Sequence, residues 1–300
     1  MHIKPFSYSA LLGTLLAAMT SVTVWADASS GAGSIHLKDV GFATPEAMEY
    51  YAAEDVYLVA NINGSPFEKD DNGFISKIGP DGTIINLKWL DGEAADIALN
   101  APKGMTILNN RLYVADIDRI RVFELPSGKQ LKDITVPGST FMNGLSVAGD
   151  NSLYATDSGM APGFKPSGTE AVYRIHTHGK IDTLQKGALG HPNGVIANGD
   201  GLMMVTLGSG QAYFMEKDGH IAAKMTLPFN RLDGLHKLDD GRFITSSWAA
   251  KSIVAINPDY TLTTLADNLE SPADIGFDHK RNRLLVPLFL KDEVVILPLE

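Results

Sequence analysis

His191-Pro192-Asn193-Gly194-Val195 reads, taken alone, as a turn entering a strand. It matters because it recurs. The same beat stands at Pro45-Glu46-Ala47-Met48, Pro102-Lys103-Gly104-Met105, Met142-Asn143-Gly144-Leu145, Leu232-Asp233-Gly234-Leu235 and Pro272-Ala273-Asp274-Ile275. Each copy is a Pro or bulky residue, a variable residue, a small one and then an apolar one. The starts lie 57, 40, 50, 40 and 40 residues apart. A period of about 40–50 residues marks a propeller or a solenoid.

The texture inside each repeat is β. Asp55-Val56-Tyr57-Leu58-Val59-Ala60 is a run of β-branched and aromatic residues, and Arg111–Ala115, Ser152–Thr156, Leu202–Thr206, Arg242–Ser246 and Arg283–Val286 are its counterparts. Turn residues such as Gly199-Asp200-Gly201 and Asp239-Asp240-Gly241 precede most of them. A third and a fourth strand complete each unit, as in Gln211–Met215 followed by Ile221–Leu227. No stretch after residue 26 keeps a helical period. Six units of four short strands give an all-β, six-bladed β-propeller over residues 35–300. The last repeat stops at Glu300, one strand short, and Ser34–Val40 alternates well enough to close the ring from the N-terminus. Two long insertions, 61–72 and 157–170, follow second strands and belong on one end of the propeller.

The front of the chain is different. His2 and Lys4 precede an apolar run, Ala10 to Met19, too short to span a bilayer, and Val24-Trp25-Ala26 offers small residues at the −3 and −1 positions. Residues 1–26 are therefore expected to be a secretory signal, 27–34 a flexible leader, and the mature protein periplasmic or secreted. No later run is apolar enough to cross a membrane. There is no cysteine, which excludes a disulfide framework, a thiol nucleophile and a lipid-modified cysteine anchor. The net charge of −10 argues against nucleic acid and anionic membrane surfaces as partners. No Gly-x-Ser-x-Gly elbow or phosphate-cradling loop is present, so Ser-based acyl transfer and nucleotide chemistry are not indicated.

In a propeller the first strand of each blade lines the central channel. The second residue of the repeated beat then points to the channel mouth, and around the ring it is Glu46, Lys103, Asn143, Asn193, Asp233 and Ala273. Two carboxylates and two amides on one axis suit a hard cation such as calcium, which prefers oxygen ligands and tolerates loose geometry. The bland reading of Asn193-Gly194 and Asp233-Gly234 is an ordinary turn. Lys103 has three readings: an ion pair with Glu46 and Asp233 in place of a metal, a cation beside the metal that stabilises an oxyanion, or a side chain reaching into solvent. His236 and His191 are each read as structural.

At these residues the chain resembles the gluconolactonase, senescence marker protein and luciferin-regenerating-enzyme family of six-bladed propellers, related to paraoxonase. The resemblance covers roughly residues 35–300, and residues 112–129 are also similar to an NHL repeat. It implies one divalent metal, calcium by preference, held by Glu46, Asn193 and Asp233, with Asn143 either a fourth ligand or a substrate contact. It implies hydrolysis of a lactone or ester; among the residues of the ring, Asp233 is the candidate catalytic residue and Asn143 and Lys103 the candidate substrate contacts. In the family's lactonases the third-blade Asn is followed by Asp and closely preceded by an Arg. Here Phe141-Met142 precede Asn143 and Gly144 follows it, which counts against a polar sugar acid and leaves a more apolar substrate open. The alternative function is a non-catalytic propeller that binds a ligand or a protein partner.

Overall fold

The computed structural model describes residues 33–299; the expected signal segment and all but the last two residues of the leader lie outside them. Among the described residues there is no helix, and no element is long and apolar enough to be a membrane-crossing helix. Six four-stranded antiparallel sheets form the blades of a ring, five of them running outward from the channel in chain order and the sixth closed on its outer edge by the N-terminal strand. The inner strands are Pro45–Tyr51, Pro102–Leu108, Met142–Gly149, Pro192–Asn198, Leu232–Lys237 and Gly276–Asp278.

The burial pattern explains why the second strands read as unbroken apolar runs. In Val56–Asn61 every residue is buried. Leu58 and Ala60 pack with Leu112 and Val114 of the second blade. Tyr57 and Val59 pack with Leu285, Val294 and Ile296 of the sixth. One strand with a side-chain period of two thus serves two cores, one on each face. Each large apolar side chain buried this way contributes about 1.5–3 kcal/mol. The outer strands face water on one side, and Ile181–Lys186 is half-buried or exposed throughout.

The ring closes as the sequence predicts. Ile35–Leu37 pairs antiparallel with Glu293–Pro298, with Ile35 opposite Ile296 and Leu37 opposite Val294. This strand completes the sixth sheet and removes the free edge of the last blade. The sixth inner strand is shorter than the repeat suggests. Pro272 to Ile275 stand in place but form only isolated bridges, Pro272 with Leu288 and Asp274 with Ala47 of the first blade. Regular pairing begins at Gly276.

Antiparallel order puts the loops after the second strands at one mouth of the channel, here called the upper mouth. Both insertions lie there and meet. The ring of Phe67, in the first, packs 5.1 Å from that of Phe164, in the second, and 5.0 Å from Phe141. The second insertion carries its own short ribbon, Met160–Ala161 with Lys165–Pro166.

Candidate metal centre

The residues of the repeated beat are not turns. Lys103, Asn143, Asn193 and Asp233 all lie within inner strands and are buried. In five blades the pairing of the inner strand shifts register at this position, as between Met142 and Leu145 or between Leu232 and Leu235. A bulge bends its strand and re-aims a side chain. Here it occurs in five of the six blades, at the residue that faces the channel.

The glycine that follows has a packing reason. A Cβ on Gly144 would stand 2.4 Å from the Asn193 carbonyl oxygen, and one on Gly194 2.4 Å from that of Asp233. At these glycines the neighbouring inner strands approach too closely for a side chain. The bulge also frees backbone groups, and hydroxyls from the second strands take them up. Thr156 Oγ1 accepts from Gly144 N at 2.9 Å and donates to the Asn193 carbonyl at 2.7 Å. Ser246 Oγ accepts from Gly234 N at 2.9 Å and donates to the Ala273 carbonyl at 2.7 Å. Each hydroxyl ties one blade's bulge to the next blade's channel residue. Sequence reading missed Thr156 and Ser246; the available signal was a hydroxyl residue near the end of a second strand.

Glu46, Lys103, Asn143, Asn193 and Asp233 line one cavity of about 290 Å³ at the upper mouth. Three of their side-chain oxygens are buried without a hydrogen-bond partner: Glu46 Oε2, Asn143 Oδ1 and Asp233 Oδ1. Two of the companion atoms are fixed. Asn143 Nδ2 donates to Ser158 Oγ at 3.0 Å, and the Trp248 indole Nε1 donates to Asp233 Oδ2 at 2.8 Å. Burial holds Glu46 well above the usual carboxylate range, with Asp233 and Asp274 adding to the effect and Lys103 opposing it. Burial also pushes Asp233 up to about 7, against hydrogen bonds from Trp248 and Asn193 that pull it down.

Orphaned buried oxygens are rare because each costs a desolvation penalty. A hard cation would satisfy all three at once and restore the charge on both carboxylates, so the donor set fits a calcium-type ion. Among the described residues no group of three or more His, Asp or Glu side chains is arranged to hold a metal, so any donor set here would include amides.

Lys103 follows neither the ion-pair nor the solvent reading. It is 1% exposed, and its Nζ donates to the carbonyls of Ala101 at 3.0 Å and Pro66 at 3.3 Å, lying 4.4 Å over the Phe141 ring. Burial brings its pKa down to about 8, with Glu46 and Asp116 opposing. Ala273 brings no polar group, but the next residue, Asp274, does. It holds the place that a small residue holds in the other blades, and its Oδ1 would lie 2.9 Å from a Cβ on Gly234. Burial raises its pKa, with Asp233 and Glu49 adding to it. An aspartate standing where the repeat calls for glycine was the signal for it.

The two histidines read as structural part company. His191 Nδ1 bonds the Ser158 carbonyl at 2.8 Å, beside Glu170, whose Oε2 accepts from the backbone N–H groups of Leu189, Gly190 and His191. His236 lies at the other end of the channel, lining a separate cavity of about 230 Å³ with Glu49 and Asp274. Its Nε2 is buried without a partner, and burial brings its pKa down to about 4.

No family model matches the chain, and no curated protein matches its sequence. Solved structures do resemble it. A gluconolactonase from Xanthomonas campestris is 19% identical, with a TM-score of 0.68 over 91% of this chain and 92% of that one. In fold this chain is gluconolactonase-like. Virginiamycin B lyase from Staphylococcus aureus is 14% identical, with a TM-score of 0.62 over 89% of this chain and 99% of that one. A chain of a nidogen–laminin complex is 15% identical, with a TM-score of 0.59 over 74% of this chain and 78% of that one. The fold is therefore shared by a gluconolactonase, a lyase and a chain of a protein–protein complex, and the site must carry the functional argument.

Proposed function

We propose that the protein is a cation-dependent hydrolase of a lactone or ester, working at the upper mouth of the channel and outside the cytoplasm. The observation that carries this reading is the set of three unpartnered oxygens, on Glu46, Asn143 and Asp233, in the floor of one cavity. Glu46, Asn143, Asn193 and Asp233 would hold the ion. When bound, a calcium-type ion supplies polarisation of a carbonyl and acidification of water.

The chain's own residues do the rest. The carboxylate of Asp233, oriented by the Trp248 indole on Oδ2, would accept a proton from the attacking water. Water adds to the carbonyl carbon, the acyl C–O bond breaks, and the leaving oxygen takes the proton. Lys103 brings a buried ammonium to the cavity, where it opposes developing negative charge. The two insertions exclude bulk water from one side.

Two measurements test the reading. Added calcium should raise the melting temperature of wild type and not of Asp233→Asn, because a ligand that binds only the folded state stabilises it. Wild type should hydrolyse members of a lactone and aryl-ester panel at rates that Asp233→Asn does not reach. Equal rates for the two proteins would sink the mechanism and favour the binding-module reading.

A further inference from the structure

The upper cavity has an oxygen floor and a hydrocarbon wall. Three of its floor groups are held by partners. Lys103 Nζ is held by two carbonyls, Asn143 Nδ2 by Ser158 and Asp233 Oδ2 by Trp248, which leaves the three unpartnered oxygens for the ion. Above the floor the lining turns apolar. Phe141 and Phe164 stand on the third-blade side, joined by Phe67 from the first insertion at 5.0 and 5.1 Å. Trp248 and Phe289 stand on the fifth- and sixth-blade side, their rings 4.9 Å apart. In a six-membered ring the third blade lies opposite the sixth, so the two aromatic groups face each other across the mouth. Ile62, Met160 and Leu207 fill the wall between them. Arg231, exposed at the rim, is the one charged lining residue that is not on the floor.

The apolar character continues outward. Phe164 is 55% exposed, one of few large hydrophobic side chains left in water among the described residues. Leu290, next to the wall residue Phe289, is 64% exposed. An exposed aromatic continuous with an apolar cavity marks a binding surface more than an accident of packing.

We propose that the substrate of this site is an aryl- or alkyl-substituted lactone or ester. Its acyl oxygen meets the floor, and its apolar substituent lies between the Phe67–Phe141–Phe164 group and the Trp248–Phe289 pair. The same wall selects against polyhydroxylated sugar lactones, because hydroxyl groups stripped of water would find almost no partners there. This inference rests on the hydrolase reading above for its chemistry, but not for its geometry. Phe164 and Trp248 are then specificity-determining residues, one at the outer edge of the slot and one at its base.

The test uses the mature protein with calcium and a series of γ-lactones carrying methyl to hexyl tails, a γ-phenyl lactone, and gluconolactone. The expected result is a kcat/KM that rises about fourfold per added methylene until the slot is full. Gluconolactone should be the poorest substrate. In Phe164→Ser the slope with tail length should fall, with the melting temperature checking that the variant is folded. A flat series, or a preference for gluconolactone, would overturn the proposal. The matching lactams, which resist hydrolysis, give a second readout through Trp248 fluorescence. Lactam affinity that climbs with tail length while no lactone is turned over would leave the apolar recognition standing and remove the hydrolase reading. Lactam affinity independent of tail length would overturn the inference whatever the turnover.

Discussion

The indole of Trp248 donates to Asp233 Oδ2 at 2.8 Å, while Asp233 Oδ1 has no partner. One oxygen of the carboxylate is anchored and the other is presented. Partners behind a ligand usually fix its orientation, and removing one costs about 10–100-fold in metal affinity. Trp248→Phe keeps an aromatic wall but loses the N–H. The expected outcome is calcium affinity lower by about tenfold or more, with a melting temperature in chelator lower by a few degrees because Oδ2 loses its donor. The dependence of melting temperature on calcium concentration reads both. An unchanged calcium dependence would mean that the indole does not orient Asp233.

The N-terminal strand should be worth more than its three residues suggest. Leu37 is 1% exposed and belongs to the core shared by the first and sixth blades. Leu37→Ala removes buried methyl groups and leaves a cavity, at a cost of about 2–5 kcal/mol. In a chain of this size that lowers the melting temperature by roughly 5–15 °C. Ile85→Ala makes the control, since Ile85 is 55% exposed on an outer strand and should shift it little. Equal small shifts from both would show that ring closure by Ile35–Leu37 does not stabilise the propeller.

Glu49 gives the lower mouth a pH signature. Burial pushes its pKa up to about 8 from an ordinary value of 4.5. The folded protein therefore holds a proton there that the unfolded chain releases across that interval. Proton binding favours the folded state, so this contribution is fully present below the ordinary value and is lost as pH rises toward 8. Glu49→Gln mimics the protonated form. It should melt higher than wild type at pH 8 and about equal to it at pH 4.5, with the gap opening by on the order of 1 kcal/mol or more. Thermal melts of both proteins across that range check the sign, and a constant gap would show that Glu49 does not titrate as its burial requires.

The architecture was legible because one constraint repeats. Inner strands meet at the axis, so a bulky residue, a channel residue and a small residue recur in the first five blades, and Gly144 and Gly194 show the contact that enforces it. The meeting of Glu46, Asn143, Asn193 and Asp233 in one cavity was legible for the same reason, since they share one register. Other features depend on the third dimension. No spacing tells a reader that Lys103 bends back to the Ala101 and Pro66 carbonyls. Asp274 was passed over because alignment on the proline put Ala273 in the channel position. The bulges are invisible to an alternation rule, which is why the hydroxyls of Thr156 and Ser246 drew no notice before their bonds were seen.

The aromatic contact between the insertions predicts that they open together. Phe67 is the shared member, touching Phe164 in the second insertion and Phe141 beside the channel residue Asn143. Aromatic pairs are worth about 0.5–1.5 kcal/mol each beyond their buried area. Losing two of them removes enough to speed local opening by roughly tenfold. In Phe67→Ala, amide hydrogen exchange should accelerate in residues 61–72 and in residues 157–170 alike. The second strands, such as Val56–Asn61, stay protected because their cores lie between blades. The same variant should weaken hydrophobic lactams more than it weakens calcium, since the wall loosens while Glu46 and Asp233 keep their places. Acceleration confined to residues 61–72 would show that the second insertion is held by its own ribbon, Met160–Ala161 with Lys165–Pro166, and does not need the first.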